Sequence, residues 1–151
     1  MSSHSRQARV LIPQRLLVAG GPFGARLSAV KACEAIARGM RAAGAPDPDI
    51  CPIESAGDLR EQLDALQLDA RLRSARAVII GAARLEQRAL AGSVAFEIAT
   101  RARQSGVPAY VVTGDNALGS FDARMLDLQL ILQARGARGL ATAGRRLAGE
   151  T

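Results

Sequence analysis

The sequence predicts an α/β fold, a single three-layer domain in which a mostly parallel sheet of about five strands is flanked by helices in a Rossmann-like arrangement. One observation is the alternation, from residue 15 onward, of short apolar runs with longer segments of helical periodicity. Another is the run at 77–81 (AVIIG), which is apolar throughout, as in a strand with both faces covered. A length of 151 residues suits one domain, which we place at residues 15–151 after a loose tail at 1–14.

The first strand–helix unit has clear boundaries. Residues 15–19 (RLLVA) predict a strand, and Ser28 is placed to cap a helix that runs to about Ala43. Apolar side chains at helical spacing define the predicted inward face of this helix: Val30, Cys33, Ile36, Ala37 and Met40. Glu34 and Arg38 lie four residues apart on the opposite face, and we expect them to form an ion pair.

The second unit is weaker. A short strand at 50–53 leads into Ser55-x-x-Asp58, whose spacing resembles a capping box with Asp in place of Glu. The segment that follows shows an apolar stripe of leucines: Leu59, Leu63 and Leu66.

Three further strands and two further helices complete the predicted domain. The strands are expected at 77–81, 108–113 and 128–132, and the helices at 93–105 and 137–148. The inward face of the first of these helices is predicted from three apolar residues: Val94, Ile98 and Ala102.

Composition narrows the function classes. The net charge of +6 comes almost wholly from arginine, since Lys31 is the only lysine, but arginines alternate with acids and aromatic residues are only 3%. We therefore expect a solvated surface and regard nucleic acid as a disfavoured partner. No apolar run approaches the roughly 20 residues of a membrane span, so we expect a cytoplasmic protein. Cys33 and Cys51 are predicted to be reduced and partly buried, and His4 has no nearby second metal ligand.

Ligands of open parallel sheets bind beyond the carboxyl ends of the strands, which selects the loops at 20–28, 54–58, 81–92 and 113–120. The first loop offers glycine N–H groups, a guanidinium and a hydroxyl for a phosphate or carboxylate, from Gly20, Gly21, Gly24, Arg26 and Ser28. It matches neither GxGxxG nor GxxxxGK[ST], so a turn that binds nothing is the open alternative.

The later loops supply the other candidate site residues. Arg84 and Glu86 either take part in a site or pair with each other, and Asp115 and Asn116 either bind a ligand or form an Asx turn. Phosphoryl transfer needs Mg²⁺ ligands and a cationic phosphate cradle. The acids available in the four loops are few: Glu54, Asp58, Glu86, Asp115 and Asp122. No metal site is predicted.

Two stretches resemble a known family. AGGPFGARLSA at 19–29 is similar to a family stretch like APDSFKGSLSA, and LDARLRSARAVIIGAARLEQRALAGS at 68–93 is similar to LDxRLxxADLVITGEGRLDxQTLxGK. The helix after the first stretch and SGVPAYVVTG at 105–114 agree as well. The chain thus resembles the bacterial glycerate kinases, which transfer a phosphoryl group from ATP to glycerate.

The departures from that family fall on polar, charged and glycine positions. Gly21 and Gly24 stand where the resemblance implies Asp and Lys. In the second stretch the family's Glu, Asp, Thr and Lys correspond to Ala82, Glu86, Ala89 and Ser93. The family also carries a large second domain between the two motifs, where this chain has a short helical segment.

The resemblance therefore implies a degenerate, non-catalytic domain that retains binding of a nucleotide or small anionic ligand through the first loop, Arg84 and Asn116. An active ATP-dependent kinase is the alternative, with Glu86 and Asp115 on Mg²⁺, Arg26 on phosphate, and a partner chain or homo-oligomer completing the site. A structural or partner-binding role is the third reading, because a domain without its neighbour exposes apolar surface.

Overall fold

Five parallel strands form one sheet in the order β2-β1-β3-β4-β5. The structure, a computed structural model, describes residues 15–54, 57–87 and 90–151, so the predicted tail at 1–14 lies outside it. The strands are β1 (Leu16–Gly20), β2 (Asp49–Pro52), β3 (Ala77–Glu86), β4 (Ala109–Ala117) and β5 (Leu128–Gln133). The predicted α/β fold with a parallel sheet is confirmed.

Helices cover both faces of the sheet. They are α1 (Ala29–Ala42), α2 (Leu59–Ala65), α3 (Leu68–Arg73), α4 (Val94–Gln104), α5 (Ser120–Met125) and α6 (Gly136–Glu150). Because side chains alternate along a strand, Leu16 and Val18 of β1 face α1 and α6, whereas Leu17 faces α2, α3 and α4. Two buried aliphatic clusters result, one on each side of the sheet.

Side-chain caps fix the starts of three helices. The Ser28 hydroxyl accepts a hydrogen bond from Lys31 N (3.2 Å) at α1, as predicted, and the Ser93 hydroxyl accepts one from Phe96 N (3.1 Å) at α4. At α2 the cap is Asp58, whose carboxylate accepts from the backbone of Glu61 at 3.1 Å. The predicted capping box is therefore wrong in register, since Asp58 holds the N-cap position assigned to Ser55, which lies outside the described residues.

Two details of α1 differ from the prediction. Val30 is 53% exposed, because the buried face of α1 is centred on small residues that pack under α6. These include Ala32 and Ala35. The expected Glu34–Arg38 pair is also wrong. The guanidinium of Arg41 instead forms ion pairs with both Glu34 (2.8 Å) and Asp47 (2.6 Å), because the turn after the helix brings Asp47 close to it.

The first and last helices touch along their backbones. A Cβ on Gly39 of α1 would overlap the carbonyl of Ala141, and one on Gly144 of α6 would overlap the carbonyl of Ile36. Glycine is required at both positions because the two helices approach too closely for any side chain.

The third and fourth strands run past the edge of the sheet. Arg84 pairs with Asp115 and Glu86 with Ala117, so β3 and β4 extend beyond the predicted ends at residues 81 and 113. Leu85 is buried on the α4 side, which holds this extension against the core. None of the helices in the described ranges combines the length and the apolar character that a bilayer crossing requires.

Candidate functional site

The loop after β1 is closed by its own backbone. Gly21 N donates to the carbonyl of Gly81 (3.1 Å), Phe23 N donates to the carbonyl of Leu27 (2.8 Å), and Gly24 has a φ of +84°. One of the glycine N–H groups expected to face a ligand, that of Gly21, is therefore bonded within the protein, as is the N–H of the nearby Phe23. Arg26 is exposed and pairs with no acid in the described part of the chain.

Gly20 and Gly21 have different structural roles. A Cβ on Gly20 would overlap the carbonyl of Gly81, because β1 and β3 touch at this point. A Cβ on Gly21 would meet nothing nearer than the carbonyl of Ile53 at 3.8 Å. The fold therefore requires glycine at position 20, whereas position 21 has room for a side chain.

Two polar residues of the predicted site serve local structure. The Ser28 hydroxyl is the α1 cap, and the Asn116 carboxamide oxygen accepts from Leu118 N at 3.1 Å as an Asx turn. Asn116 N donates to the side-chain oxygen of Gln133 (2.7 Å), which ties the end of β4 to β5. Their binding of a ligand stays a prediction.

Arg84, Glu86 and Asp115 meet on the extension of β3 and β4. Arg84 Nε lies 3.2 Å from Glu86 Oε2 and 3.5 Å from Asp115 Oδ2. Residues two apart on a strand share a face, and Asp115 is the cross-strand neighbour of Arg84, so the three side chains converge. The group carries a net charge of −1. Its two carboxylates neutralise the Arg84 guanidinium, which is therefore not free to attract an incoming anion.

A cavity of about 330 Å³ opens beside this extension on the α6 side. Arg135 lines it and donates through Nε to the carbonyl of Gly114 at 3.3 Å. The cavity is lined by Phe23, Gly24, Ala83, Gly114, Asp115, Arg135 and Gly136. Sequence reasoning missed Arg135, although the carboxyl-end rule applied to the fifth strand would have found it.

A cavity of about 290 Å³ lies on the other side of the extension, against the start of α4. Its lining includes Gly21, Ala82 and Ser93, the positions at which the resemblance implies Asp, Glu and Lys. Three positions far apart in sequence are thus brought to one site. Arg84 is the charged residue of this lining.

The residues do not fit a resident Mg²⁺ ion. The described part of the chain holds no group of three or more His, Cys, Asp or Glu side chains able to bind a metal. Magnesium takes an octahedral set of oxygens, which one or two carboxylates complete only with water and substrate phosphates. Asp58 is occupied as a helix cap, and Glu86 and Asp115 pair with Arg84.

The cysteines supply no nucleophile. Both are free and fully buried, which is deeper than predicted, and the thiol of Cys33 donates to the carbonyl of Gly20 at 3.8 Å. Burial raises the pKa of the Cys33 thiol to about 12. Burial also raises the pKa of Cys51, although the nearby Arg71 guanidinium opposes that shift.

The sequence model of the glycerate kinase family matches residues 60–140, more than half of the chain. A structure described as glycerate kinase 2 from Salmonella typhimurium LT2 is similar, with 19% identity and a TM-score of 0.48 over 67% of this chain and 28% of that one. The matched part of this chain spans only 28% of the length of that kinase.

A second structure is similar over more of the chain. The diflavin flavoprotein A3 from Nostoc sp. shares 14% identity with a TM-score of 0.50, over 92% of this chain and 94% of that one. This likeness concerns the fold alone. No curated protein matches the chain by sequence.

Proposed function

Because this chain belongs to the glycerate kinase family, we propose that it is a non-catalytic member that binds a small anionic ligand at the carboxyl edge of its sheet. The observation that carries the proposal is the lining of the 290 Å³ cavity, where Gly21, Ala82 and Ser93 occupy the positions of an acid, an acid and a lysine. The cavity persists without the groups that phosphoryl transfer would need there.

The loss is expected to be severe because such groups act together. Removing one oriented donor or base lowers turnover by about 10²–10⁴-fold, and the effects of groups that act as a unit do not simply add. Arg84 does not compensate, since Glu86 and Asp115 hold its guanidinium within 3.5 Å.

Cationic groups at the edge support retained binding. Arg26 is exposed and Arg135 lines the neighbouring cavity, so two guanidinium groups remain for a carboxylate or phosphate. Glycerate and a nucleotide are the ligands we propose to test. We propose a cytoplasmic location, which the two free thiols of Cys33 and Cys51 support.

The test is a thermal-shift panel of glycerate, ADP and ATP, each with and without Mg²⁺. A ligand present at about 100 times its Kd stabilises the folded state by about 2.7 kcal/mol, which raises the Tm of a protein of this size by several degrees. We expect glycerate or a nucleotide to raise the Tm without added Mg²⁺. Arg135→Gln should reduce the shift, whereas Arg73→Gln, at an exposed position of α3, should not. No shift with any ligand would exclude binding.

A restoration experiment addresses catalysis. Gly21→Asp, Ala82→Glu and Ser93→Lys together restore the three side chains that the resemblance implies for this cavity, and the space at Gly21 admits a side chain. We expect no glycerate-dependent ATP turnover in the unmodified protein. Turnover in that protein, abolished by Glu86→Gln or Arg84→Gln, would overturn the proposal. Loss of the Ser93 cap costs about 1 kcal/mol, so the triple variant is first checked for folding.

A kinase completed by a partner is the second candidate. It is favoured by the convergence of two carboxylates, Glu86 and Asp115, at one edge of the sheet. The match to the solved kinase also covers only 28% of that kinase, whose remaining length has no counterpart in this chain. A second copy or another chain would then supply the remaining groups. Light scattering, followed by a turnover assay on each separated species, distinguishes this candidate because activity should appear in the assembly alone.

A partner-binding role is the third candidate. Phe121 and Met125 are 65% and 56% exposed, and they lie four residues apart on α5, directly after β4. A helix that presents two large apolar side chains to water favours association. Phe121→Ser should weaken any self-association seen by sedimentation, and a monomer at every protein concentration would count against homo-oligomers.

A further inference from the structure

Charge is distributed unequally between the two helical layers. Residues 29–48 and 135–150, which include α1 and α6, carry seven basic and three acidic side chains, a net charge of +4. The layer on the opposite side of the sheet, residues 57–73, 94–104 and 120–127, carries six basic and seven acidic side chains, a net charge of −1. The excess positive charge of the described residues therefore lies on one side.

The cations of the positive layer are not neutralised locally. Six of its basic residues are exposed and form no ion pair within the described part of the chain. Arg135 lines the cavity at the sheet edge, and the other five lie on α1 and α6: Lys31, Arg38, Arg138, Arg145 and Arg146. Two of the three acids, Glu34 and Asp47, are both bound to Arg41. On the opposite layer, by contrast, Arg101 bridges Asp64 (2.8 Å) and Asp69 (3.4 Å). The alternation of arginines with acids in the sequence thus produces pairing mainly away from α1 and α6.

The five cations lie on two adjoining rows of a rigid surface. On α1 the exposed positions 31 and 38 are two turns apart, as are 138 and 145 on α6, a rise of about 10 Å in each case. The rows meet where the two helices touch, since a Cβ on Gly39, the residue after Arg38, would lie 2.9 Å from the backbone nitrogen of Arg145. The backbone contact between α1 and α6 fixes this arrangement.

We propose that this α1/α6 surface binds the phosphate backbone of a nucleic-acid duplex without reading its sequence. Arginine, which supplies four of the five cations, matches phosphate oxygens through its planar fork. A duplex carries about one charge per 1.7 Å, and its neutralisation by a row of cations needs no apolar contact.

Other polyanions fit this surface less well. Single strands are bound through aromatic stacking, and none of the exposed aromatic or large apolar side chains of the described residues lies on the surface except Val30. A peripheral membrane helix needs an apolar face as well as a basic one, and the exposed positions of α6 between residues 138 and 149 hold Arg, Thr and Gly. The duplex is therefore the partner that the surface chemistry favours. This inference does not depend on the proposed ligand site, which lies at the sheet edge.

The test is fluorescence anisotropy of a short labelled B-DNA duplex at increasing salt. If all five cations contact phosphates, log K against log salt has a slope of about −4.5, and affinity falls about 500-fold between about 50 mM and about 200 mM salt. Arg145→Gln with Arg146→Gln should bring the slope to about −2.7. Thermal unfolding of the variant confirms that it folds, since both side chains are exposed.

The matched control removes two arginines from the opposite layer. Arg73→Gln with Arg124→Gln lowers the net charge equally, and both residues are exposed, so the slope should stay near that of the unmodified protein. An equal decrease in the magnitude of the slope in the two double variants would overturn the proposal, because binding would then follow net charge alone. Absence of duplex binding at low salt would overturn it too, as would binding to vesicles of anionic phospholipid but not to the duplex.

Discussion

At the scale of single residues, the sheet edge distinguishes glycines that the fold requires from those that it only tolerates. Gly20 touches Gly81 across β1 and β3, whereas its neighbour Gly21 has free space around the missing Cβ. The two have the same residue type and adjacent positions, so the sequence gives no sign of this difference. From the local sequence alone, both glycines would be assigned to the same turn.

We expect Gly20→Ala to destabilise the protein by about 3 kcal/mol, since overpacking against a backbone carbonyl has no side chain that can move aside. Gly21→Ala should change the free energy of unfolding by less than about 1 kcal/mol. Urea denaturation of the two variants measures the difference. Similar losses for both would show that the space at Gly21 is not available.

Cys33 makes stability depend on pH in the alkaline range. Burial raises the pKa of its thiol from 9.0 in the unfolded chain to about 12. Below pH 9.0 both states hold the proton, and above it the unfolded state loses a proton that the folded state keeps. The free energy of unfolding should therefore fall as pH rises from 9.0 towards about 12, by about 1.4 kcal/mol per pH unit.

Urea denaturation at about pH 8 and about pH 10.5 measures this dependence. In Cys33→Ala the titrating group is gone, so stability should fall less between the two pH values than in the unmodified protein. An equal fall in both proteins would assign the dependence to other groups. Thiol labelling gives a second readout, with slow reaction of the folded protein at neutral pH and fast reaction in urea.

At the scale of elements, local patterns predicted the cores of the strands and the long helices. The runs at 77–81 and 128–132 fall within β3 and β5, and the helices predicted at 93–105 and 137–148 match α4 and α6 to within two residues. Strand cores are recognisable because both faces are buried. The same signal failed for the end of β3, where Arg84 and Glu86 alternate with buried Leu85 only because β4 pairs beside them.

Local periodicity does not reveal which distant segments pack against a helix. The exposure of Val30 and the pairing of Arg41 with Glu34 both depend on neighbours supplied by distant segments, α6 and the turn that carries Asp47. The short helix α5 has no buried residues, so it leaves no apolar stripe for a sequence reading to detect. Packing partners, which sequence alone does not give, decide each of these cases.

The contact between α1 and α6 can be tested on one helix. Gly144→Ala places a methyl group on the carbonyl of Ile36, and we expect it to destabilise the protein by about 3 kcal/mol. Gly149→Ala, on the same helix with open space around it, should stabilise by roughly 0.5 kcal/mol through the better helix propensity of alanine. Thermal melts of both variants decide whether the backbone contact is as close as the structure shows.

At the scale of the whole molecule, strand order sets where chemistry is expected. In the order β2-β1-β3-β4-β5, the chain passes from β1 to β2 on one side of the sheet and from β3 to β4 on the other side. This change of direction leaves a crevice between the carboxyl ends of β1 and β3. The cavity lined by Gly21, Ala82 and Ser93 opens there. The sequence predicted the edge from the alternation of strands and helices, but not the order, because strand pairing joins residues far apart in the chain.

The structure also separates two kinds of surface that the composition combines. A net charge of +6 says nothing about where the basic residues lie. The folded chain places five that form no ion pair on α1 and α6: Lys31, Arg38, Arg138, Arg145 and Arg146. The proposed ligand edge and the proposed duplex surface consequently involve different residues, so each can be altered while the other is kept.

The interlock of α1 with α6 also bears on how the protein is made. Ile36 and Gly39 belong to the first third of the chain, yet they meet Gly144 and Ala141 only near its end. A nascent polypeptide that has emerged from the ribosome as far as β4 therefore exposes one side of its sheet and helix α1 to water until α6 follows. During that interval the uncovered apolar side is open to aggregation, and this half of the core closes only when α6 packs against α1.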